Sequence, residues 1–332
     1  MEGLLDDLDF SILVINDLIR VMSEHYNGLV NCLIIGLGAA GKRHFNILNN
    51  LGYNVWTVSK SNPISQNNFH DLEILLEKVS ISYIVVSNAT SLHEETLLSL
   101  VELGYSGKIL LEKPSCISTN SLLVRNDLQL SVGYNLRFHA AINWLRSFYV
   151  LNNENINYVN IHYGNRLTNW RSYDAHRDSY SRYKKLGGGV LRDFSHEIDY
   201  ANWIFSLNKI ISSKISRVED LTVDSEDKAC FKIISETGIP IEFELNYLEL
   251  VPRREIQIGL PTGTLRIDIL NSTVESDEKT WNLTQNMENT YYEMHKAFIG
   301  NDYSKLATLE NGIAVDQIIV NLENLNSSGR LI

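Results

Sequence analysis

The stretch CLIIGLGAAGKRHF, residues 32–45, passes from an apolar strand pattern to a cationic helix pattern through three closely spaced glycines. They fit the spacing G-x-G-x-x-G, which allows a tight turn, the close approach of a pyrophosphate, and close packing of helix on sheet. A turn without a ligand is the alternative. The strand–turn–helix context favours a dinucleotide held by free N–H groups at the helix N-terminus. The predicted phosphate-binding residues are Gly36, Gly38, Ala39, Ala40 and Gly41.

Downstream of this loop, strand and helix patterns alternate as far as about residue 136. Such alternation is typical of a parallel sheet whose strands are joined by crossover helices. We therefore predict an α/β fold with an N-terminal Rossmann dinucleotide-binding domain over residues 29–136. The predicted strands are residues 29–36, 53–59, 82–88, 108–113 and 128–138, and the predicted helices are residues 40–50, 71–79 and 94–103.

The pattern changes over residues 137–332. The predicted elements there are a helix at 139–149, a strand at 156–164, a helix at 189–205, several strands within 215–270, and helices within 288–325. Turn signals such as Glu236-Thr237-Gly238 separate the strand-like segments, which favours antiparallel pairing. We predict a C-terminal α+β domain with an open, mostly antiparallel sheet for substrate binding and oligomerisation. Residues 1–28 form an N-terminal extension without an assigned role.

Composition and charge argue against several classes of protein. The 332 residues carry a net charge of −11, which disfavours a nucleic-acid or acidic-membrane partner. No apolar run reaches the ~18 residues that span a bilayer, and the acidic start MEGLLDDLDF is unlike a secretory signal. The three cysteines are scattered, and no His/Cys/Asp cluster has metal-ligand spacing. We predict a cytoplasmic protein without a metal.

The end of the second predicted strand bears on the choice of cofactor. A carboxylate that binds the ribose 2′-hydroxyl of NAD is expected about 20 residues after the glycines. The chain has Ser59 and Lys60 there instead, and a hydroxyl followed by a cation suits a 2′-phosphate. A solvated loop lysine is the alternative interpretation. We predict that NADP(H) is preferred, with NAD(H) as the second cofactor.

Three further motifs resemble one family. LLEKPSC contains Glu112-Lys113-Pro114 at a strand end, GYNLRFH spans residues 133–139, and GGGVLRDFSHEIDYANWIF spans residues 187–205. With the glycine loop, and in this order, they resemble the glucose–fructose oxidoreductase/inositol dehydrogenase/MocA (Gfo/Idh/MocA) family of NAD(P)-dependent oxidoreductases. The resemblance runs from about residue 29 to the C-terminus. It implies hydride transfer to or from a sugar or cyclitol, and assembly into a homodimer or homotetramer through the C-terminal sheet.

Two residues are the main candidates for this chemistry. Lys113 matches the lysine of the family's Glu-Lys-Pro motif and follows the carboxyl end of a strand, where ligands bind in open α/β sheets. His196 lies on the predicted 189–205 helix, where an imidazole beside a carboxylate can form a proton-transfer pair. A surface lysine and a solvated helix face are the respective alternatives. We predict that Lys113 contacts the substrate and that His196 is the acid/base.

The carboxylate that supports His196 stays open between two residues. Many family members place an aspartate four residues before the histidine, but this chain has Arg192 at that position and Asp193 three residues before it. Alignment on the pattern His-x-x-Asp introduces Asp199 as a second candidate. We retain both aspartates as catalytic candidates, because either spacing keeps acid and histidine on one helix face.

A cationic and aromatic segment precedes the His196 helix. Residues 164–192 carry seven Arg or Lys side chains against two Asp. A local positive field of this kind can steer an anionic ligand into a cleft, and a solvated linker is the alternative. We predict an acidic or nucleotide-linked sugar of bacterial surface-polysaccharide metabolism as substrate. The predicted substrate-binding residues are Lys113, Arg137, Arg171, Tyr173, Arg177, Tyr180, Arg192 and His196.

The predicted cofactor site extends beyond the glycine loop. Its further members are Ser59, Lys60, Asn88, His93, Glu112 and Lys113. For His93, packing or capping of a helix start is the alternative interpretation. Two rival functions remain open: a non-catalytic regulator that binds a dinucleotide or a sugar, and a nucleotide-sugar or imine reductase in which Tyr180 or Tyr183 donates the proton.

Overall fold

A computed structural model describes residues 30–59, 67–117, 128–167, 183–184, 187–217, 224–283 and 285–328. Within these ranges the chain forms two sheets with helices packed against them. The predicted N-terminal extension, residues 1–28, lies outside the described residues. Across the part of the chain described, no helix is both long and apolar enough to cross a membrane.

The first sheet is built from strands that follow one another along the N-terminal part of the chain. Its strands are β1 (Asn31–Ile35), β2 (Asn54–Val58), β3 (Asn68–Phe69), β4 (Tyr83–Val86), β5 (Lys108–Leu111) and β6 (Gln129–Val132). They pair in parallel in the order β6-β5-β4-β1-β2-β3, and a short strand at Ala307–Thr308 adds antiparallel to β6. This arrangement confirms the predicted Rossmann-type α/β fold.

Helices cover both faces of this sheet because its strands are apolar on both sides. Three helices follow strands of the sheet: α1 (Ala39–Asn50), α2 (Leu72–Lys78) and α3 (His93–Glu102). One face, which includes Ile34 and Val85, packs with Leu48 of α1. The other face, which includes Leu33 and Ile84, packs with α2 and α3. The carboxyl ends of the strands are where ligands bind in open sheets of this kind.

The second sheet is mostly antiparallel, as predicted. Its strands are β7 (Tyr158–Gly164), β8 (Leu207–Ser216), β9 (Lys228–Ser235), β10 (Pro240–Asn246), β11 (Arg253–Leu260), β12 (Gly263–Asp268), β13 (Thr273–Glu275) and β14 (Thr280–Asn282). Their order is β14-β13-β12-β11-β7-β10-β9-β8, with β7 and β10 parallel. Strand β8 was not predicted, because its polar sequence LNKIISSKIS lacks an apolar face.

Among the described residues, five helices accompany the second half of the chain. They are α4 (Ala140–Asn152), α5 (Val190–Asp193), α6 (Ser195–Phe205), α7 (Met287–Ile299) and α8 (Leu309–Ser328). One face of the second sheet, with Ile161, Phe243 and Ile256 in register, packs against a core that includes Ile198 and Phe205 of α6. Helix α7 instead joins α1 on the first sheet. The predicted oligomer through the second sheet stays a prediction.

Three predicted elements end or divide elsewhere. The strand predicted at 128–138 stops at Val132, and a 3-10 helix occupies Asn135–Phe138, where the chain crosses from the first sheet to the second. The helix predicted at 189–205 is interrupted at Phe194, whose φ of −101° and ψ of 28° leave the helical range. The helical region at 288–325 is two helices, because the Ala307–Thr308 strand lies between them.

Candidate functional site

The glycine loop joins the end of β1 to the start of α1. Gly36 has a φ of +94°, and a Cβ atom there would lie 2.6 Å from the Asn88 backbone. A Cβ on Gly41 would overlap the Gly36 carbonyl oxygen, which shows how closely the helix packs on the loop. Around Gly38, by contrast, no atom lies within 4 Å of an added Cβ. The loop therefore has two glycines locked by packing and one that borders open space.

These features fit the pyrophosphate of a dinucleotide. Gly38 is the N-cap of α1, and no side chain of the described residues caps the helix, so its first N–H groups can bind phosphate oxygens. Asn88 follows β4, and its Oδ1 is buried without a partner among the described residues, while its Nδ2 donates to Thr96. Ala39, Ala40 and Gly41 would supply the amides, and Asn88 a polar contact beside them.

Two other predicted cofactor residues are buried near this edge. The Nδ1 of His93 lies 3.1 Å from the Pro114 carbonyl oxygen, and burial lowers the pKa of His93. Ser59, after β2, is 8% exposed and bonds through its backbone to Phe69. His93 thus packs at the start of α3, as expected if it has a structural role and does not bind cofactor. Its Nε2 has no partner in the described part of the chain. Lys60 lies outside the described residues.

Glu112 and Lys113 follow β5 and face different neighbours. Lys113 Nζ donates to the backbone carbonyl of Asp193 at 2.5 Å, and the carbonyl of Arg192 lies 3.4 Å away. Burial lowers the pKa of Lys113, and the charges of Asp193 and Glu112 oppose that shift. The lysine therefore bridges the first sheet to helix α5 of the second half.

Glu112 begins a buried chain of hydrogen bonds. Its Oε1 lies 2.7 Å from Nε2 of His44, whose Nδ1 lies 2.8 Å from Nε2 of His295, and the His295 Nδ1 lies 2.8 Å from the Tyr83 hydroxyl. Burial acts to raise the pKa of the Glu112 carboxyl, but His44 lowers it below its usual value. Ionised Glu112 only accepts hydrogen bonds, so His44 Nε2 is the donor in the bond between them. The chain fixes Glu112 beside Lys113.

Buried neutral histidines predict a loss of stability in acid. Burial lowers the pKa of His139 to about 4, and it lowers the pKa of His93 and, well below its usual value, that of His295. In the unfolded chain these histidines have a pKa near 6.5 and bind protons at a pH where the folded protein does not. The free energy of unfolding is therefore highest above that pH and declines below it. For His139, whose pKa is lowered to about 4, we expect roughly 1 kcal/mol of stability to be lost by pH 5.5, and His93 and His295 should add to the loss in the same direction.

Urea unfolding at pH 7.5 and 5.5 measures this decline. His139 Nδ1 accepts the Ala141 N–H at the start of α4, so His139→Asn keeps an acceptor there and should reduce the decline. His70 is exposed, and His70→Gln serves as the matched control. An unchanged pH dependence in His139→Asn would contradict the assignment.

His196 lies in helix α6 and lines a cavity of about 730 Å³. The cavity reaches from the start of α1 to the second sheet, and its lining includes Ala39, Arg43, Asn135, His196, Arg254 and Tyr291. Burial, together with the charges of Lys113, Arg254 and Arg43, lowers the pKa of His196 well below its usual value. The imidazole is therefore neutral and can accept a proton.

Neither candidate aspartate bonds to His196. Asp193 Oδ2 accepts the Tyr247 hydroxyl at 2.7 Å, and Asp199 forms a buried ion pair with Arg137 at 2.7 Å. The His196 Nδ1 has no partner among the residues described. The prediction that one of these aspartates orients the imidazole is thus not met in this structure. The break at Phe194 separates Asp193 from the helix that carries His196, and Asp199 is already committed to a guanidinium.

The predicted substrate-binding arginines that the structure describes also have other partners. Arg137 is 2% exposed in its pair with Asp199, and Arg192 binds Glu323 through two nitrogens at 2.7 and 3.0 Å. Neither is among the residues that line the cavity. Arg171, Tyr173, Arg177 and Tyr180 lie outside the described residues.

Some cavity residues were missed by the sequence analysis. They are Asn135, Tyr163, Arg254 and Tyr291, which come from the 3-10 helix, β7, β11 and α7. Arg254 occupies an apolar-facing position of a strand, and only its contrast with Ile256 and Ile258 on the same face marks it. Asn135 lies within the GYNLRFH motif but was not singled out there, and no quoted motif contains Tyr163, Arg254 or Tyr291, so only the fold brings the four together.

Comparisons with known proteins agree with this geometry. Residues 30–124 match the family model described as an oxidoreductase family with an NAD-binding Rossmann fold, GFO_IDH_MocA. A comparison with curated proteins finds no match.

Solved structures resemble most of the chain. An Agrobacterium radiobacter oxidoreductase in complex with NAD+, L-tartaric acid and magnesium has a TM-score of 0.74 at 13% identity, covering 91% of this chain and 97% of that one. A Lactobacillus plantarum myo-inositol 2-dehydrogenase has a TM-score of 0.71 at 16% identity, and the match covers 91% of this chain and 98% of that one. An Acidithiobacillus ferrooxidans UDP-N-acetylglucosamine 3-dehydrogenase has a TM-score of 0.69 at 15% identity, and the match covers 90% of this chain and 96% of that one. At these identities, the likeness establishes the fold.

Proposed function

Because residues 30–124 match the model of the GFO_IDH_MocA oxidoreductase family with its NAD-binding Rossmann fold, we propose that this protein is an NAD(P)-dependent dehydrogenase or reductase of a sugar or sugar derivative. The observation that carries the proposal is the single cavity lined both by Ala39, at the start of α1, and by His196. A dinucleotide on the glycine loop and a substrate beside His196 would then share one space. When bound, the dinucleotide supplies the site that gains or loses hydride.

His196 is proposed as the acid/base. Oxidation of a hydroxyl requires a group that takes the hydroxyl proton as hydride leaves the carbon. A neutral imidazole can do so, and the burial and nearby cations that lower the pKa of His196 support its neutral form. The unpartnered Nδ1 of His196 leaves the ring without a fixed tautomer until a ligand binds.

Lys113 is proposed to hold the reacting oxygen. An ammonium has three donors, and two carbonyls near Lys113 Nζ, those of Asp193 and Arg192, can take two of them. No acceptor among the described residues takes the third, which we assign to a substrate hydroxyl or carbonyl oxygen. A cation at this position stabilises an alkoxide during hydride transfer.

The direct test of the proposal is cofactor reduction at 340 nm with a panel of sugars, sugar acids and nucleotide sugars. Turnover of at least one substrate is expected. Because Asp193 and Asp199 bind other partners in this structure, the second candidate function is a regulator that binds a dinucleotide without turnover. Tight dinucleotide binding with no reduction across the panel would favour that regulator.

The cofactor preference is a separate prediction. The Agrobacterium radiobacter oxidoreductase structure holds NAD+, yet this chain has Ser59-Lys60 where a ribose-binding carboxylate is expected. We expect ~10–100-fold tighter binding of NADPH than NADH, on the order of 1.4–3 kcal/mol. Fluorescence titration measures both constants, and Lys60→Ala should narrow the ratio, with Lys42→Ala as a comparison on α1. Tighter binding of NADH by the unchanged protein would refute the preference.

A further inference from the structure

Arg254, on β11, is a buried cation that faces the cavity. It is 8% exposed and lines the same space as His196. Its Nε donates to Glu197 Oε1 at 2.6 Å, and its guanidinium carbon lies 4.3 Å from the centroid of the Tyr163 ring. The ion pair fixes one edge of the guanidinium and the ring covers one face. The side chain is therefore held in place before any ligand binds.

The two terminal nitrogens of this guanidinium can bind a ligand. The bond to Glu197 uses Nε, and within the described ranges the terminal nitrogens have no hydrogen-bond acceptor. A guanidinium presents paired N–H donors that match the two oxygens of a carboxylate or phosphate. Burial opposes the charge of Arg254, but Glu197 raises its pKa, so the cation persists. The free edge suits an anionic group with two oxygens.

The charges around the cavity support this assignment. Among its described lining residues, the cations Lys42, Arg43 and Arg254 face a single carboxylate, Glu288. Lys42 and Arg43 belong to α1, whose N-terminus fits the phosphates of the dinucleotide. Arg254 belongs to β11 of the second sheet and not to α1 or the glycine loop. The anion that Arg254 would bind therefore belongs to the substrate and not to the cofactor.

We propose that Arg254 binds an anionic group of the substrate, a carboxylate or a phosphate, through its two terminal nitrogens. The substrate is then an acidic sugar or a sugar that carries phosphate. This inference rests on the proposed function, because it assumes that His196 and Arg254 share a substrate site. The sequence predicted that Arg171 and Arg177 bind the anionic group of the substrate, but both lie outside the described residues. Arg254 is a described residue that can bind this group instead.

Binding calorimetry in the presence of NADPH tests this proposal without requiring turnover. The probes are D-glucuronate, D-galacturonate and D-glucose 6-phosphate, each compared with its parent hexose. At least one anionic probe is expected to bind 10-fold or more tightly than its parent. The uronate and phosphate arms distinguish the two anionic groups. Equal affinities for anionic and neutral probes, or no binding of any anionic probe, would overturn the inference.

Variants locate the effect at one side chain. Arg254→Lys keeps the charge that pairs with Glu197 but loses the paired donors, and it should reduce the preference for the anion at least 5-fold. The double variant Arg254→Gln/Glu197→Gln removes both charges and should abolish the preference without leaving a buried lone carboxylate. Arg253→Gln is the matched control, because Arg253 is exposed on the opposite face of β11 beside His162 and Glu255. A preference unchanged in Arg254→Lys and in the double variant would also overturn the inference.

Cofactor reduction separates this inference from the proposed function. If neutral sugars and sugar acids reduce NAD(P) with the same kcat/KM, the result supports the proposed oxidoreductase and contradicts the proposed role of Arg254. Preferential anion binding that depends on Arg254, without any reduction, would support the anion site and contradict the oxidoreductase.

Discussion

Replacing His196 with alanine is expected to lower kcat by roughly 10²–10⁴-fold, the usual loss when a positioned acid/base is removed. The imidazole lines the cavity that reaches the glycine loop, and burial together with Lys113, Arg254 and Arg43 lowers its pKa. Its removal leaves no neutral base at that position while the dinucleotide site is untouched. Steady-state rates at 340 nm on the best substrate measure the loss.

The binding of cofactor separates this effect from misfolding. His196→Ala should bind NADPH within a few-fold of the unchanged protein, because the glycine loop lies at the other end of the cavity. His162→Ala is the matched control, since His162 lies on the outer face of the second sheet beside Arg253 and should keep full activity. Near-normal turnover by His196→Ala, with loss on substitution of Tyr183 or Tyr180, would transfer the acid/base role to a tyrosine.

The expected pH dependence follows from the lowered pKa. The free enzyme needs neutral His196 for oxidation, so the acidic decline of kcat/KM should lie below the pH of about 6.5 that is usual for a histidine. A decline centred well above that pH would identify a different group. In the reductive direction the same group must be protonated, so the rate should rise as the pH falls.

Local sequence predicted the first sheet well. Apolar runs such as 29–36 and 82–88 lie within one or two residues of β1 and β4, because a buried parallel strand is apolar on both faces. The roles of the glycines could also be anticipated: Gly36 and Gly41 have contacts that leave no room for a Cβ atom, and Gly38 borders open space. Each of these features depends on neighbours that are close in sequence or fixed by the strand–turn–helix geometry.

The partners of the site residues could not be predicted in this way. A helical spacing places Asp193 and His196 on one face, but it cannot show that Tyr247, 54 residues away, takes the carboxylate of Asp193. Arg137 and Asp199 are 62 residues apart, and His44 and His295 are 251 apart. These pairs form only when the two sheets and helix α7 pack together. The role of His196 as acid/base therefore stays a prediction, and the partners of the residues around it could not be read from local spacing.

Substitutions at two glycines of one loop should have opposite effects on folding and binding. Gly38→Val should fold normally, because nothing lies within 4 Å of an added Cβ and the φ of −68° suits any residue. It should bind the dinucleotide at least 10-fold more weakly, about 1.4 kcal/mol, because the side chain fills the space next to the free helix N–H groups.

Gly41→Val should instead fail to fold properly. Its Cβ would overlap the Gly36 carbonyl oxygen and lie 2.8 Å from Ser87 Oγ, and a backbone oxygen cannot move away without displacing the loop from the sheet. Overpacking of this kind costs about 1–3 kcal/mol or more, which is a large share of the stability of a typical domain. Thermal unfolding and dinucleotide titration of both variants measure the contrast. If Gly38→Val binds dinucleotide as tightly as the unchanged protein, the phosphates do not approach Gly38, and the cavity at the start of α1 serves another ligand.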